Sequence, residues 1–247
     1  KINPLENILN KSIKNNVIFV SGAAGSIGQE ICSQLLNLNP IEIILFDISE
    51  ASLYKSLENL NSLNKKNILL TPLLGCATNY KLLTNIFINR RVNIVFHAAA
   101  YKHVPLVEIN PIEGIRNNIF STQAICRASK ETSSVKKVIL ISSDKAVRPA
   151  NIMGASKRVS ELIIQGYAEE FNFENPPKVF SMVRFGNVID SSGSVIPLFK
   201  KQIQKGGPIT ITHRDIYRFF MTIDEAAQLV IQAAGIAKGN EVFLLDM

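Results

Sequence analysis

The chain has 247 residues, enough for one large α/β domain with a small appended lobe. Its 47% apolar and 19% charged content is that of an ordinary globular protein and excludes a disordered or low-complexity chain. The 27 basic and 20 acidic residues leave a net charge of +7, but the lysines are scattered or paired rather than gathered in a stripe, so no nucleic-acid partner is expected.

Residues 1–14 read as a leader from an upstream region. The β-branched run Val17-Ile18-Phe19-Val20 then predicts a short buried strand ending in a glycine-rich turn, followed by a helix over 26–38. A second strand over 41–46 ends at Asp47, and further strands are predicted over 68–71, 94–98, 137–142 and 179–183, each separated by helix-compatible sequence. This alternation predicts an α/β fold with a doubly wound parallel sheet of the Rossmann type, its nucleotide-binding domain spanning 15–183. The Gly- and Pro-rich stretch 184–222 breaks the rhythm and reads as a smaller substrate-binding region. A helix over 223–234 and a strand over 241–245 return to the core, and both chain ends read as cut. Cys32, Cys76 and Cys126 are widely spaced, so core thiols are expected rather than a disulfide framework or metal site. No run approaches the ~18–20 apolar residues of a membrane span.

Gly22-Ala23-Ala24-Gly25-Ser26-Ile27-Gly28 follows the first predicted strand and opens a helix, where a dinucleotide pyrophosphate needs bare backbone and a helix N-terminus. The first glycine permits the turn, the second the approach of backbone to phosphate, and the third close helix packing. The GxxGxxG spacing is the short-chain dehydrogenase/reductase variant. Cofactor contacts are expected from Gly22, Ala24, Gly25, Ser26 and Ile27, and from Asp47 to the adenosine ribose hydroxyls. That carboxylate, with no arginine directly after it, favours NAD over NADP.

Ile139-Leu140-Ile141-Ser142-Ser143-Asp144-Lys145 is an apolar strand tipped by two hydroxyls, an acid and a base, where doubly wound sheets bind ligands. Met153-Gly154-Ala155-Ser156-Lys157 stands where short-chain dehydrogenases carry Tyr-x-x-x-Lys. A thioether has no exchangeable proton, so Met153 cannot be the acid/base, and the proton chemistry has either been lost or moved elsewhere.

The chain resembles the membrane-associated nucleotide-sugar 4,6-dehydratases of bacterial polysaccharide and glycan biosynthesis, extended short-chain dehydrogenase/reductases that act on UDP-N-acetylglucosamine. The specific stretches run from His97 to Leu106, from Ser143 to Pro149, and from Arg184-Phe185-Gly186-Asn187-Val188 on to Pro197. Met in place of Tyr marks the long, membrane-anchored branch. The resemblance implies an NAD-dependent lyase: carbon 4 is oxidised, water is lost across carbons 5 and 6, and the hydride returns to carbon 6, with retention at carbon 5.

It further implies Asp144 as acid for the leaving hydroxyl, Lys145 as base at carbon 5, Ser143 on the 4-hydroxyl, and Lys157 on the nicotinamide ribose and developing alkoxide. A water relayed by Ser143 and Asp144 is expected to replace the missing phenol. A base lysine needs desolvation or nearby cations, and an acid carboxyl an apolar pocket. Ala98, Ala99 and Ala100 are expected to make room for the cofactor, Lys102 and His103 to line the sugar pocket, and Asn118 to bend a helix and hold a water at the substrate side. Arg184, Asn187 and Arg218 are expected to grip the UDP moiety. His97 reads as a satisfied core histidine.

Two departures are Cys76-Ala77, where the family has Asp-Val, and Ser121 for a glycine. A UDP-sugar 4-epimerase and a catalytically silent NAD-binding protein remain as rivals. The expected partners are a UDP-sugar and further copies of the chain. The membrane would be reached only through a region outside this chain, which itself is expected to be soluble, with the full-length protein at the cytoplasmic face of the bacterial inner membrane.

Overall fold

A computed structural model describes residues 6–171, 177–189, 195–211, 213, 215 and 220–244. It opens with α1 (Glu6–Ile13), β1 (Val17–Ser21), α2 (Ser26–Leu35), β2 (Glu42–Asp47), α3 (Glu50–Leu63), β3 (Leu69–Leu74), α4 (Tyr80–Arg90) and β4 (Ile94–His97). Next come α5 (Val104–Ile109), α6 (Pro111–Ile115), a π-helical turn (Arg116–Phe120), α7 (Ser121–Glu131), β5 (Lys137–Ser143), a 3₁₀ turn (Asp144–Ala146) and α8 (Ile152–Phe171). The chain continues through β6 (Val179–Phe185), β7 (Asn187–Val188), α9 (Val195–Gln204), β8 (Phe220–Met221), α10 (Ile223–Ile236) and β9 (Val242–Leu244).

Seven strands form one parallel sheet in the order β3-β2-β1-β4-β5-β6-β9, while β7 and β8 pair in a small second sheet. The order reverses between β1 and β4, which opens a crevice at the carboxyl ends of those strands. Strand periodicity divides the core in two. Ile18, Val20, Ile43, Leu45, Ile94 and Phe96 pack with α2, α3 and α10, whereas Phe19, Ile44, Phe46 and Val95 pack with α4, α7 and α8. In the second layer Phe19 meets Phe46 and Phe87 at ring-centroid distances of 5.2 and 4.9 Å. Full burial of each such ring contributes about 1.5–3 kcal/mol.

The predicted elements are present with shifted ends. The helix predicted to residue 38 tightens into a 3₁₀ turn (Leu36–Leu38) that stops at Asn39 with φ 52°. β3 runs on through Pro72 to Leu74, which an edge strand tolerates because its outward N–H has no partner to lose. β6 extends to Phe185, so Arg184 belongs to the main sheet and not to the smaller region assigned to it.

Candidate active site

The glycine turn sits at the crevice. Gly22 has φ +68°, and a Cβ there would lie 2.7 Å from the Ala99 nitrogen. A Cβ on Gly28 would meet the Gly22 carbonyl oxygen at 2.1 Å, so α2 presses its first turn directly on the loop. Asp47 fixes the loop from β2: Oδ2 accepts from the Ala24 N–H at 3.0 Å and Oδ1 from the Ser49 N–H at 3.0 Å.

A cavity of about 520 Å³ opens against this turn, with Gly22, Gly25, Ser26 and Ile27 on one wall. Ala98 and Ala100 line it, and Tyr101, Lys102 and His103 carry it outward. Ala99 instead packs against the core beneath α4 and α7. Bare backbone at the N-terminus of a ten-residue helix, with a carboxylate at the neighbouring strand end, fits the pyrophosphate and ribose of a dinucleotide.

The tip of β5 carries the polar set. Ser143 Oγ donates to Asp144 Oδ1 at 2.8 Å and accepts from the Lys145 N–H at 3.3 Å, capping the 3₁₀ turn. Lys145 Nζ lies 3.0 Å from Asp144 Oδ1 and donates to Asn187 Oδ1 at 3.4 Å. The Asp144 side chain is 48% exposed, so the described residues do not enclose it in the apolar pocket anticipated from the sequence. Ser143, Asp144 and Lys145 are not among the residues that line the cavity; the link to it is Lys102, which does line it and whose ammonium is pushed down first by burial and then by the charge of Lys145.

α8 presses on this turn. Its first turn is capped by Asn151, whose Oδ1 accepts from the Gly154 N–H at 2.8 Å. A Cβ on Gly154 would lie 2.4 Å from the Lys145 carbonyl oxygen, so only glycine lets the helix approach so closely. Met153 is buried at the position of the missing phenol. Lys157 is buried as well, and its Nζ donates to the Ile141 carbonyl at 2.5 Å. Burial pushes its ammonium down to about 8, against a partial upward pull from Glu161.

His97 is a satisfied core residue. Nδ1 hydrogen-bonds with Ser21 Oγ at 2.7 Å and Nε2 with Thr122 Oγ1 at 3.1 Å. Burial, and then the charge of Lys157, bring its imidazole to about 3. Cys32 and Cys126 are buried free thiols, and burial pushes both up.

Two substrate residues anticipated from the sequence have other occupations. The amide of Asn118, buried in the π-helical turn, accepts from the Tyr101 N–H at 2.7 Å and donates to the Tyr101 carbonyl at 3.0 Å and Ser156 Oγ at 2.9 Å. These bonds tie the cavity loop to α8 and leave its amide facing protein rather than substrate. The Arg184 guanidinium is engaged by Glu161, with Nε to Oε1 at 2.7 Å and Nη2 to Oε2 at 2.6 Å, so it is not extended toward a diphosphate. Asn187 does stand beside Lys145. Arg218 lies outside the described residues.

Glu161 and Gly154 were not singled out from the sequence. The available signal was a carboxylate one helical turn beyond Lys157, on the same face of an otherwise apolar pattern. Among the described residues no group of His, Cys, Asp and Glu is placed to hold a metal, and no helix is long and apolar enough to cross a membrane.

A seven-stranded parallel sheet of this order, with the glycine turn at its switch point and a buried lysine on the helix after β5, defines a Rossmann protein of the extended short-chain dehydrogenase/reductase class. The chain belongs to the polysaccharide biosynthesis protein family, whose sequence profile matches residues 18–247. It is 45% identical over 240 residues to the capsular polysaccharide biosynthesis protein CapD of Staphylococcus aureus, spanning 97% of this chain but 39% of the length of that relative. The UDP-glucose 4-epimerase of Rickettsia rickettsii is 34% identical over 235 residues, which cover 93% of this chain and 66% of the epimerase. Among solved structures, Pen from Bacillus thuringiensis superposes with a TM-score of 0.87 at 37% identity, covering 95% of this chain and 72% of that one.

Proposed function

We propose that this chain is the catalytic domain of an NAD-dependent UDP-N-acetylglucosamine 4,6-dehydratase, a lyase forming a UDP-linked 4-keto-6-deoxy sugar for bacterial polysaccharide or glycan synthesis. The observation that carries this is the continuous hydrogen-bonded set Ser143–Asp144–Lys145 at the tip of β5, beside a buried Lys157, in a fold whose glycine turn opens on a cavity.

The glycine turn, Asp47, Ala98 and Ala100 would hold the dinucleotide, with Lys157 on its ribose. When bound, NAD supplies a hydride acceptor at carbon 4 and a hydride donor to carbon 6. Ser143 takes the proton of the 4-hydroxyl, directly or through a water, and passes it along its 2.8 Å contact to Asp144. The 4-ketone acidifies carbon 5, and Lys145, acting as the base, removes that hydrogen. The electron pair expels the 6-hydroxyl, which Asp144 protonates and which departs as water. Lys145 then returns its proton to the same face of carbon 5, so every proton is accounted for. Lys102, His103 and Asn187 contact the sugar nucleotide, and Arg218 grips its diphosphate.

The test is incubation with UDP-N-acetylglucosamine and mass spectrometry of the product. Loss of one water is expected, with Asp144→Asn and Lys145→Ala each slowing it by about 10²–10⁴-fold. Normal dehydration by both variants would overturn the assignment. The 34% identity to a UDP-glucose 4-epimerase favours epimerisation as the second reading, which predicts a 4-epimer of unchanged mass.

A homo-oligomer is part of the proposal. Val159 and Leu162 on α8, with Ile112 and Phe120 on the elements beside it, expose an apolar strip. Leu162→Glu should convert a sedimenting dimer to monomer, whereas a monomeric parent protein at micromolar concentration would refute the interface.

A further inference from the structure

One carboxylate connects all three segments that supply the reacting groups. Glu161, fully buried on α8, accepts from Ser142 Oγ at 2.7 Å and Arg158 Nη1 at 3.0 Å, as well as from Arg184 at 2.7 and 2.6 Å. Ser142 and Arg184 are register partners on β5 and β6. Ser142 directly precedes Ser143, Asp144 and Lys145. Three residues after Arg184 comes Asn187, whose Oδ1 accepts from Lys145 Nζ at 3.4 Å. On its own helix Glu161 stands one turn beyond Lys157, whose ammonium grips the Ile141 carbonyl of the same β5 tip.

We propose that Glu161 is the positioning residue of this site: through Ser142 and Arg184 it sets the tip of β5 and the start of β7 at the spacing that aims the Asp144–Lys145 pair. This rests on the dehydratase reading. A buried ion pair is an inefficient stabiliser, because the loss of hydration offsets much of the attraction and well-packed apolar residues serve as well. What this cluster supplies beyond burial is geometry. Its four donors converge from β5, β6 and α8, where apolar side chains would tolerate sliding of one strand tip against the other. The carboxylate also helps keep the proton on Lys157, the one effect that a purely spatial role would lack.

The test uses Glu161→Gln, which removes the charge, and Ser142→Ala, which cuts only the β5 arm and leaves the Arg184 pair intact. Ser142→Ala should lower kcat for dehydration by about 10-fold and Glu161→Gln by about 100-fold, with KM for UDP-N-acetylglucosamine within about twofold. The alkaline limb of the kcat profile should move to lower pH in Glu161→Gln alone. The Lys145 and Val147 amides, bonded to Ser143 Oγ and the Asp144 carbonyl, should exchange hydrogen faster in both variants, and in Ser142→Ala at unchanged melting temperature. Folded variants with kcat within twofold of the parent and unchanged exchange would overturn the proposal. If Glu161→Gln does not fold, Ser142→Ala decides. If the parent protein removes no water from the sugar nucleotide, the dehydratase reading falls, and exchange at those two amides alone upholds or refutes Glu161.

Discussion

Lys157 illustrates how a single side chain couples burial to pH. Its ammonium is pushed down to about 8 from 10.5 by burial, and the charged or titratable groups around it are Glu161 on its own helix and neutral His97 on β4. At neutral pH it is a buried cation able to stabilise a developing alkoxide. The sign of the linkage follows. Below about 8 both folded and unfolded chains hold the proton, and the fold bears the cost of the buried charge. Between about 8 and 10.5 the unfolded chain binds more protons, so stability rises with pH. The full swing is of the order of 3 kcal/mol. Denaturant unfolding should therefore show the parent protein gaining on Lys157→Met across that window, and parallel curves would contradict a buried charge. At the same scale, the sequence showed which residues carry protons but not how they are arranged. Ser143, Asp144 and Lys145 are adjacent in the chain and were legible. The occupation of Arg184 by Glu161 was not, because a guanidinium suited to phosphate is equally suited to a carboxylate 23 positions away.

At the scale of elements, the contact between α8 and the catalytic turn is decisive. Gly154 is the point of closest approach, and an added methyl would collide with backbone that has no room to yield. Gly154→Ala should push the Asp144–Lys145 turn outward and lower kcat by about 100-fold. Circular dichroism should stay near that of the parent, and dinucleotide affinity should fall far less than kcat, since the glycine turn precedes α2 and only Lys157 reaches the cofactor from α8. Loss of dinucleotide binding in this variant would show that the two sites are not mechanically separate. The elements themselves were mostly legible, because period-two apolar runs bounded by glycine, proline and asparagine leave few alternatives. The π-helical turn at Asn118 was anticipated only as a bend. Its role in holding the Tyr101 backbone depends on α5, α6 and α8 meeting, which no local pattern specifies.

For the whole molecule, the doubly wound sheet gathers loops from β1, β2, β4 and β5 at one edge, where a dinucleotide would bind the folded chain alone. NAD at about 100 times its Kd should contribute about 2.7 kcal/mol and raise the melting temperature by about 5–10 °C. NADP should do less, because Asp47 repels a 2′-phosphate, and Asp47→Ala should narrow the gap between the two cofactors. Equal stabilisation of the parent by both would remove the basis for preferring NAD. The sequence by itself determined the parallel sheet, the glycine turn and the chemical inventory of the β5 tip, since these depend on residue types a few positions apart. Only the tertiary structure decided that Lys145 meets Asn187 and that Glu161 joins β5, β6 and α8. Those partners lie far apart in the chain, and a charge in a sequence has many acceptable partners until packing leaves it one.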